Sequence, residues 1–400
     1  MDIEQPNLFI EINEKNFIFL VVKYNQDLNF KILDTSIVKS DGIENGRVIN
    51  IKTSSEILKK NLNLIENKIG YTFKKAIIIN NQNNYNCINV TGFKNIGGSQ
   101  ISEDDISYIL NELKTLILDN EKHYSLIHLF NSNYILDNSS LKNLPIGLFG
   151  DTYNHHLTFF LLLKNDLKNL KHVLNNCHID VERVVLRPFA EGIYKITNQK
   201  IKEDFLEIKM RKKSTSISIF KDKSLIYSQD FLFGSEIILK DIAKVCSLSI
   251  ETVNNILEEI NFDNLSEGKK EEYLDKKYFK DIIYRKVSIN IINEIIDSRL
   301  TELIYLIYKK NINLQFFKNE IDKIYFTFED KKIYSNTQSN IISKFSKNID
   351  IAFQLMDQND ELNGCIGSAI LNGSGWEREA IPTIQTKKSI ISRIFSTFFT

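Results

Sequence analysis

The chain opens with strand-like patterning. Leu8–Lys23 (LFIEINEKNFIFLVVK) alternates and then runs apolar, and its polar break at Asn13–Asn16 suits a hairpin turn. Phe30–Ser40 is a third candidate strand, and Asp41–Gly46 is a turn cluster. The period then changes: Ile57, Leu58, Leu62, Ile65 and Ile69 recur at helical spacing over Ser54–Ile69, with Ser54 or Ser55 as the cap. Ala76–Ile79 follows as a short buried strand. Strands, a helix and a further strand in this succession predict α/β architecture.

A second rhythm begins near residue 81. Ser102-Glu103-Asp104-Asp105 reads as an N-cap and acidic first turn, leading a helix with Ile106, Ile109, Leu110, Leu113 and Ile117 on one face. Strand Tyr124–Phe130, a turn-rich stretch Asn131–Asn143 and strand His156–Leu163 complete a small α+β insertion over 81–163. Beyond it come helix Asp166–Asn176, strand Glu182–Leu186, a helix start at Pro188, and strands Phe205–Met210, Ser214–Phe220 and Lys223–Phe233. Helices Glu236–Val245 and Ser249–Glu259 are followed by a charged run, Asp263–Lys280, which reads as a solvated connection. Val287–Tyr308 is long and periodic; Ile324–Phe328, Ile349–Leu355 and Cys365–Leu371 close the pattern. Two halves built alike would be hidden by drift.

Composition narrows the function classes. With 400 residues, 42% hydrophobic and 26% charged, the chain has ample material for packed cores. Lys+Arg and Asp+Glu balance at 51 each, so no net charge favours nucleic acid. Cys87, Cys177, Cys246 and Cys365 form no CxxC pair, which speaks against zinc and against a disulfide framework; Cys246 and Cys365 lie in apolar surroundings and read as core. His155, His156, His172 and His178 have no tight metal-ligand spacing. The start lacks a signal-peptide pattern, and Leu157–Leu163 falls far short of the ~20 residues that span a bilayer, so a cytosolic, non-spanning chain is expected.

Three stretches together resemble the bacterial cell-division FtsA family of actin-like proteins. They are His128–Asp137 continuing to Asn143–Gly150 (NLPIGLFG), Val184–Gly192 (VVLRPFAEG), and Gly234–Ala243 (GSEIILKDIA). Gly42–Gly46 and Ile295–Glu302 are smaller matches in the same order. The resemblance implies an α/β, actin-like (ribonuclease H-like) fold of two lobes. On that basis residues 1–80 and 164–198 form the first lobe and 81–163 the FtsA-type insertion. Residues 199–373 form the second lobe, with a partner-binding helical part at about 247–315. A tether (374–386) and a C-terminal amphipathic helix (387–400) follow. The family binds ATP with magnesium, polymerises, and attaches the FtsZ C-terminal tail to the inner membrane at the division septum. Carried over on that likeness, Arg299 and Glu302, with Arg285 nearby, are candidate partner-binding residues; an ordinary surface pair at i, i+3 is the simpler reading of Arg299 and Glu302. The 81–163 insertion argues against a pilus-type assembly scaffold.

At the nucleotide loops the chain departs from that likeness. Phosphate hairpins use glycine so that backbone N–H groups can approach an anion. The stretch matching the first hairpin is Glu11–Asn16 (EINEKN); the second is Lys209–Ser216 (KMRKKSTS); the adenine-side turn is Phe326–Asp330. None holds a glycine. Asn13, Ser214, Thr215, Gly234 and Ser235 are what remains of a cofactor cleft. Either Arg211, Lys212 and Lys213 bind phosphate by charge, as an atypical actin-like ATPase would, or the hairpin tip is a solvated basic turn and no nucleotide binds. The second reading is preferred: an adaptor without catalytic residues, metal or cofactor.

The C-terminal segment points to lipid on pattern alone. Ile390, Ile391, Ile394, Phe395, Phe398 and Phe399 make one apolar stripe on a helix, and Lys387, Lys388 and Arg393 supply positive charge with no acid after Glu379. A short basic amphipathic helix reads as an interfacial membrane anchor. Docking onto the protein's own core or a partner groove is the competing reading.

Overall fold

The computed structural model describes residues 5–279, 283–317, 321–345 and 349–380. These fall into two compact units. The first comprises residues up to Lys202, Phe220–Tyr227, and Gln358 onward; the second comprises Glu203–Ile219 and Ser228–Asp357.

In the first unit β1 (Asn7–Ile12) and β2 (Asn16–Tyr24) are near-continuous apolar runs buried on both faces, as central strands covered by helices must be. The edge strand β3 (Phe30–Lys39) is exposed or half-buried along its whole length. A two-residue ladder, β4 (Ile43–Glu44) with β5 (Arg47–Val48), leads to α1 (Ile51–Ile69). This helix starts earlier than Ser54: Asn50 is the cap and accepts from Thr53 N at 3.1 Å. Ser54 and Ser55 are buried instead, with Ser54 Oγ donating to Asp41 O at 2.9 Å. Gly70 closes the helix in the left-handed region. Strand β6 (Lys75–Asn80) then joins β1 in parallel.

The insertion follows as β7 (Tyr85–Asn95), α2 (Glu103–Asn120), β8 (Tyr124–Leu136), β9 (Ser139–Leu141) and β10 (Thr152–Leu163). Its sheet has the order β7-β10-β8-β9. The reciprocal capping box Ser102/Asp105 starts α2, and Ile106, Ile109, Leu110, Leu113 and Ile117 pack on Leu126, Leu129, Tyr134, Phe159 and Leu161. Strand β8 runs six residues past Phe130, through a stretch whose polar residues suggest a loop. Those polar side chains find partners: Asn131 accepts from His155 Nε2 at 2.9 Å, and Ser132 pairs with Thr158.

Helix α3 (Lys164–Asn175), β11 (Asp180–Leu186) and α4 (Arg187–Asn198) complete the main sheet, ordered β11-β6-β1-β2-β3. The chain continues with β12 (Phe205–Met210), β13 (Thr215–Lys221), β14 (Ser224–Phe231), α5 (Glu236–Cys246), α6 (Ile250–Glu259), α7 (Glu267–Lys270), α8 (Ile289–Ile304), α9 (Ile312–Gln315), β15 (Lys323–Phe328), α10 (Lys331–Ile342) and β16 (Asp350–Leu355); apart from Phe220–Tyr227 at the β13–β14 turn, these make up the second unit. Its sheet order is β14-β13-β12-β15-β16. Both five-stranded sheets thus carry the order third-second-first-fourth-fifth, with parallel fourth and fifth strands. That twin ribonuclease H-like order is the actin-like fold expected above, and it is the repeat the sequence conceals. The charged run near residue 270 is not wholly solvated, since Leu274, Tyr278 and Phe279 are buried.

Helix α11 (Asn363–Ser374) packs on α4, β1 and β2 in the first unit. The contact is backbone-close: a Cβ at Gly367 would lie 1.8 Å from Ala190 O. Within the expected tether, Trp376–Ala380 is anchored in the first unit. Trp376 Nε1 donates to Lys223 O at 2.7 Å, and the backbone of Arg378–Ala380 pairs with Leu129–Asn131 of β8.

Candidate functional site

The expected phosphate hairpin of the first unit is closed by its own side chain. Asn13 Oδ1 accepts from Lys15 N at 2.9 Å and from Asn16 N at 2.8 Å. Its Nδ2 donates to Glu11 Oε1 at 3.0 Å. The Lys15 and Asn16 amides, which a glycine-rich loop would present to an anion, are therefore already hydrogen-bonded, and Asn13 itself is buried. Glu11, fully buried on β1, meets Arg187 Nη1 at 3.0 Å, and Arg187 Nε meets Glu191 at 2.9 Å. Burial pulls the Arg187 pKa down, but Glu11 and Glu191 outweigh it and hold the guanidinium firmly protonated. Cys365 lies beside this cluster; burial, reinforced by Glu11, keeps its thiol protonated.

The three loops of the second unit are likewise knitted together. In the 211–214 turn, Arg211 N donates to Ser214 O at 2.8 Å and Arg211 Nη1 to Ser216 Oγ at 3.1 Å. The Lys212 amide donates to Glu329 Oε2 at 2.9 Å, from the turn after β15. At the start of α5, Ser235 N donates to Arg211 O and Glu236 N to Lys212 O, both at 2.9 Å. Gly234 is required by that approach, because a Cβ there would lie 2.1 Å from Arg211 O. Thr215 Oγ1 is spent on Phe233 O at 2.8 Å, while the Ser235 hydroxyl is buried without a hydrogen-bond partner. Asp330 caps α10 through Lys332 N at 2.9 Å. Lys212 and Lys213 are exposed at the tip.

Mg-ATP, which the resemblance implies, needs accessible backbone donors and acids with room for a metal. The residues present do not fit that need: the Lys15 and Asn16 amides are taken by Asn13, the Lys212 amide by Glu329 and the Ser235 and Glu236 amides by neighbouring carbonyls, and the acid Glu11 is paired with a guanidinium. Of the five residues expected to hold cofactor, Asn13 lies in the first unit and Ser214, Thr215, Gly234 and Ser235 in the second. Among the described residues, no group of three or more His, Cys, Asp or Glu could hold a metal. His155 is wholly buried, and burial, with the His156 and Arg378 charges, lowers its pKa to about 3.

A second buried ionic centre was not expected. Glu379 meets Arg183 through both carboxylate oxygens and His128 Nδ1 at 2.6 Å, while Leu186 N donates to His128 Nε2 at 3.0 Å. His128 therefore carries its proton on Nδ1 and donates a hydrogen bond through it to Glu379. Burial raises the Glu379 pKa, but Arg183 and His128 overcome that and bring it to about 2. Burial lowers the His128 pKa against the pull of Glu379. The motif around His128 was legible; no local signal marks Glu379, which pairs with residues 196 and 251 positions away.

Of the partner-binding candidates, Arg299 is tied to Asp241 of α5 and, at 2.5 Å, to Glu302. Arg285 is exposed. The membrane-binding candidates Lys387, Lys388, Ile390, Ile391, Arg393, Ile394, Phe395, Phe398 and Phe399 lie outside the described residues. No helix among those described is long and apolar enough to cross a membrane.

Residues 83–158 match the family described as the SHS2 domain inserted in FtsA. The chain is similar to the cell division protein FtsA of Buchnera aphidicola subsp. Schizaphis graminum, with 24% identity over 311 residues, 76% of this chain and 73% of that one. Rhizobium meliloti FtsA is 22% identical over 218 residues, 54% of this chain and 49% of that one. Among solved structures, the PilM-PilN type IV pilus biogenesis complex aligns with a TM-score of 0.54 at 10% identity, covering 92% of this chain and 98% of that one. At that identity the last likeness concerns the fold.

Proposed function

For a cell-division protein of the actin-like family, which is how its likeness to FtsA marks this chain, we propose the role of an adaptor. It anchors FtsZ filaments to the cytoplasmic face of the inner membrane and helps assemble the division ring. The observation that carries the reading is the FtsA-type insertion, which stands between β6 and α3 with its own sheet and core. A filament-binding surface in the helical part of the second unit and a lipid-binding stripe over 387–400 supply the two ends of the bridge. Arg285, exposed, is the cation more open to an acidic tail than the ion-paired Arg299. The domain division set out from the sequence belongs to this proposal, as do self-association and contacts with other divisome proteins.

Burying the six apolar residues of the terminal stripe contributes several kcal/mol, at about 25 cal/mol per Å² of apolar surface. Ordering the segment offsets part of that, so a single copy binds lipid reversibly and a polymer of copies binds stably. Flotation with anionic liposomes tests the lower end. The full chain should float and a chain lacking 387–400 should not; equal flotation ends the lipid role. Retention on an immobilised FtsZ C-terminal peptide tests the upper end, and no retention removes the adaptor role.

A further inference from the structure

We infer that the chain carries built-in substitutes for a magnesium nucleotide. Asn13 and Glu329 act as fixed acceptors for the hairpin amides, and Arg187 acts as the fixed cation facing Glu11. The argument starts from donor supply. An anion binds a turn by collecting N–H groups that have no other acceptor. In the first hairpin, Asn13 Oδ1 collects the amides of both Lys15 and Asn16. In the second unit the Lys212 amide goes to the Glu329 carboxylate, and the first amides of α5 go to carbonyls of the same turn. Glu329 is the most direct substitute. It is an anion on a short tether, presented to a backbone N–H where Arg211, Lys212 and Lys213 give a basic setting. A free phosphate would have to displace it and then tolerate its charge at close range.

The cation side is treated the same way. A buried carboxylate needs a counter-charge, and Glu11 receives it from Arg187, itself held by Glu191. A Cβ at Gly364 would lie 2.7 Å from Glu11 Oε2, so α11 also closes on this acid. The loops hold their form through the chain's own side chains, and their stability is independent of Mg-ATP. None of this depends on the adaptor role, which is read by flotation and peptide retention.

The test uses the purified full chain, thermal unfolding and calorimetry. Millimolar Mg-ATP, Mg-ADP or tripolyphosphate should leave the wild-type midpoint unchanged to within about 1 °C, because a ligand stabilises only through binding to the folded state. Glu329→Gln keeps the size and an acceptor oxygen but removes the charge. It should fold and gain a tripolyphosphate-dependent rise of about 1–3 °C, which a ligand contribution near 1 kcal/mol would produce. Glu329→Ala should unfold at a lower temperature than wild type and recover part of the loss in tripolyphosphate. A wild-type midpoint that climbs several degrees with Mg-ATP overturns the inference. So does a pair of Glu329 variants as indifferent to tripolyphosphate as the wild type.

Discussion

Glu379→Gln tests whether Trp376–Ala380 is locked to β11 and β8 by its buried carboxylate. In the wild type the carboxylate answers Arg183 with both oxygens and accepts a hydrogen bond from His128 Nδ1, with all three side chains almost wholly buried. The amide leaves a guanidinium buried opposite a neutral group and turns one acceptor oxygen into a donor. Breaking a buried pair by removing one partner costs about 3–5 kcal/mol. The carboxyl pKa moves in the same direction: Arg183 and His128 outweigh burial and lower it from 4.5 to about 2 on folding. Urea unfolding of the full chain reads the difference. Hydrogen exchange at the Ala380 and Asn131 amides, which bond Leu129 O and Arg378 O, reports whether the segment peels away locally. Because the folded pKa lies below the unfolded one, this stabilisation is complete above about pH 5 and disappears as pH falls from 4.5 towards 2. Glu379→Gln should therefore flatten the acid limb of the stability profile in that window. A loss under about 1 kcal/mol at pH 7, with an unchanged acid limb, would refute the reasoning.

Other substitutions probe separate parts of the structure. Arg187→Leu leaves Glu11 and Glu191 without their cation and should cost about 3–5 kcal/mol in urea unfolding. Gly234→Ala forces the 211–214 turn away from α5 and should cost about 1–3 kcal/mol, the usual penalty of overpacking, as measured by the thermal midpoint. Ser102→Ala removes one half of the α2 capping box and should cost about 1 kcal/mol, read by urea unfolding. Arg299→Ala breaks part-exposed pairs with Asp241 and Glu302 and should cost about 1 kcal/mol or less. Arg285→Ala should leave stability unchanged while weakening retention on the FtsZ peptide.

The chain order determined the elements wherever a local period governs them. The α2 stripe, its Ser102 cap and the apolar runs of β1 and β2 are written in consecutive residues, because helical and strand faces repeat over three to four residues or two. The loss of glycine from the nucleotide loops was equally plain, since glycine's role there is backbone approach and needs no partner to be read. The tertiary structure decided what takes glycine's place. Asn13 closes its own hairpin over two or three residues, whereas Glu329 reaches Lys212 across 117 positions and Arg187 reaches Glu11 across the sheet. Polarity also misled over 131–136, where Asn131 and Ser132 continue a strand because their partners arrive from β10. Glu379 is the extreme case. Its neighbours in sequence describe a tether, and only the folded chain brings Arg183 of β11 and His128 of β8 to it. Local patterning encodes which face of an element is apolar; the pairing of buried charges is set by which distant elements the core brings together.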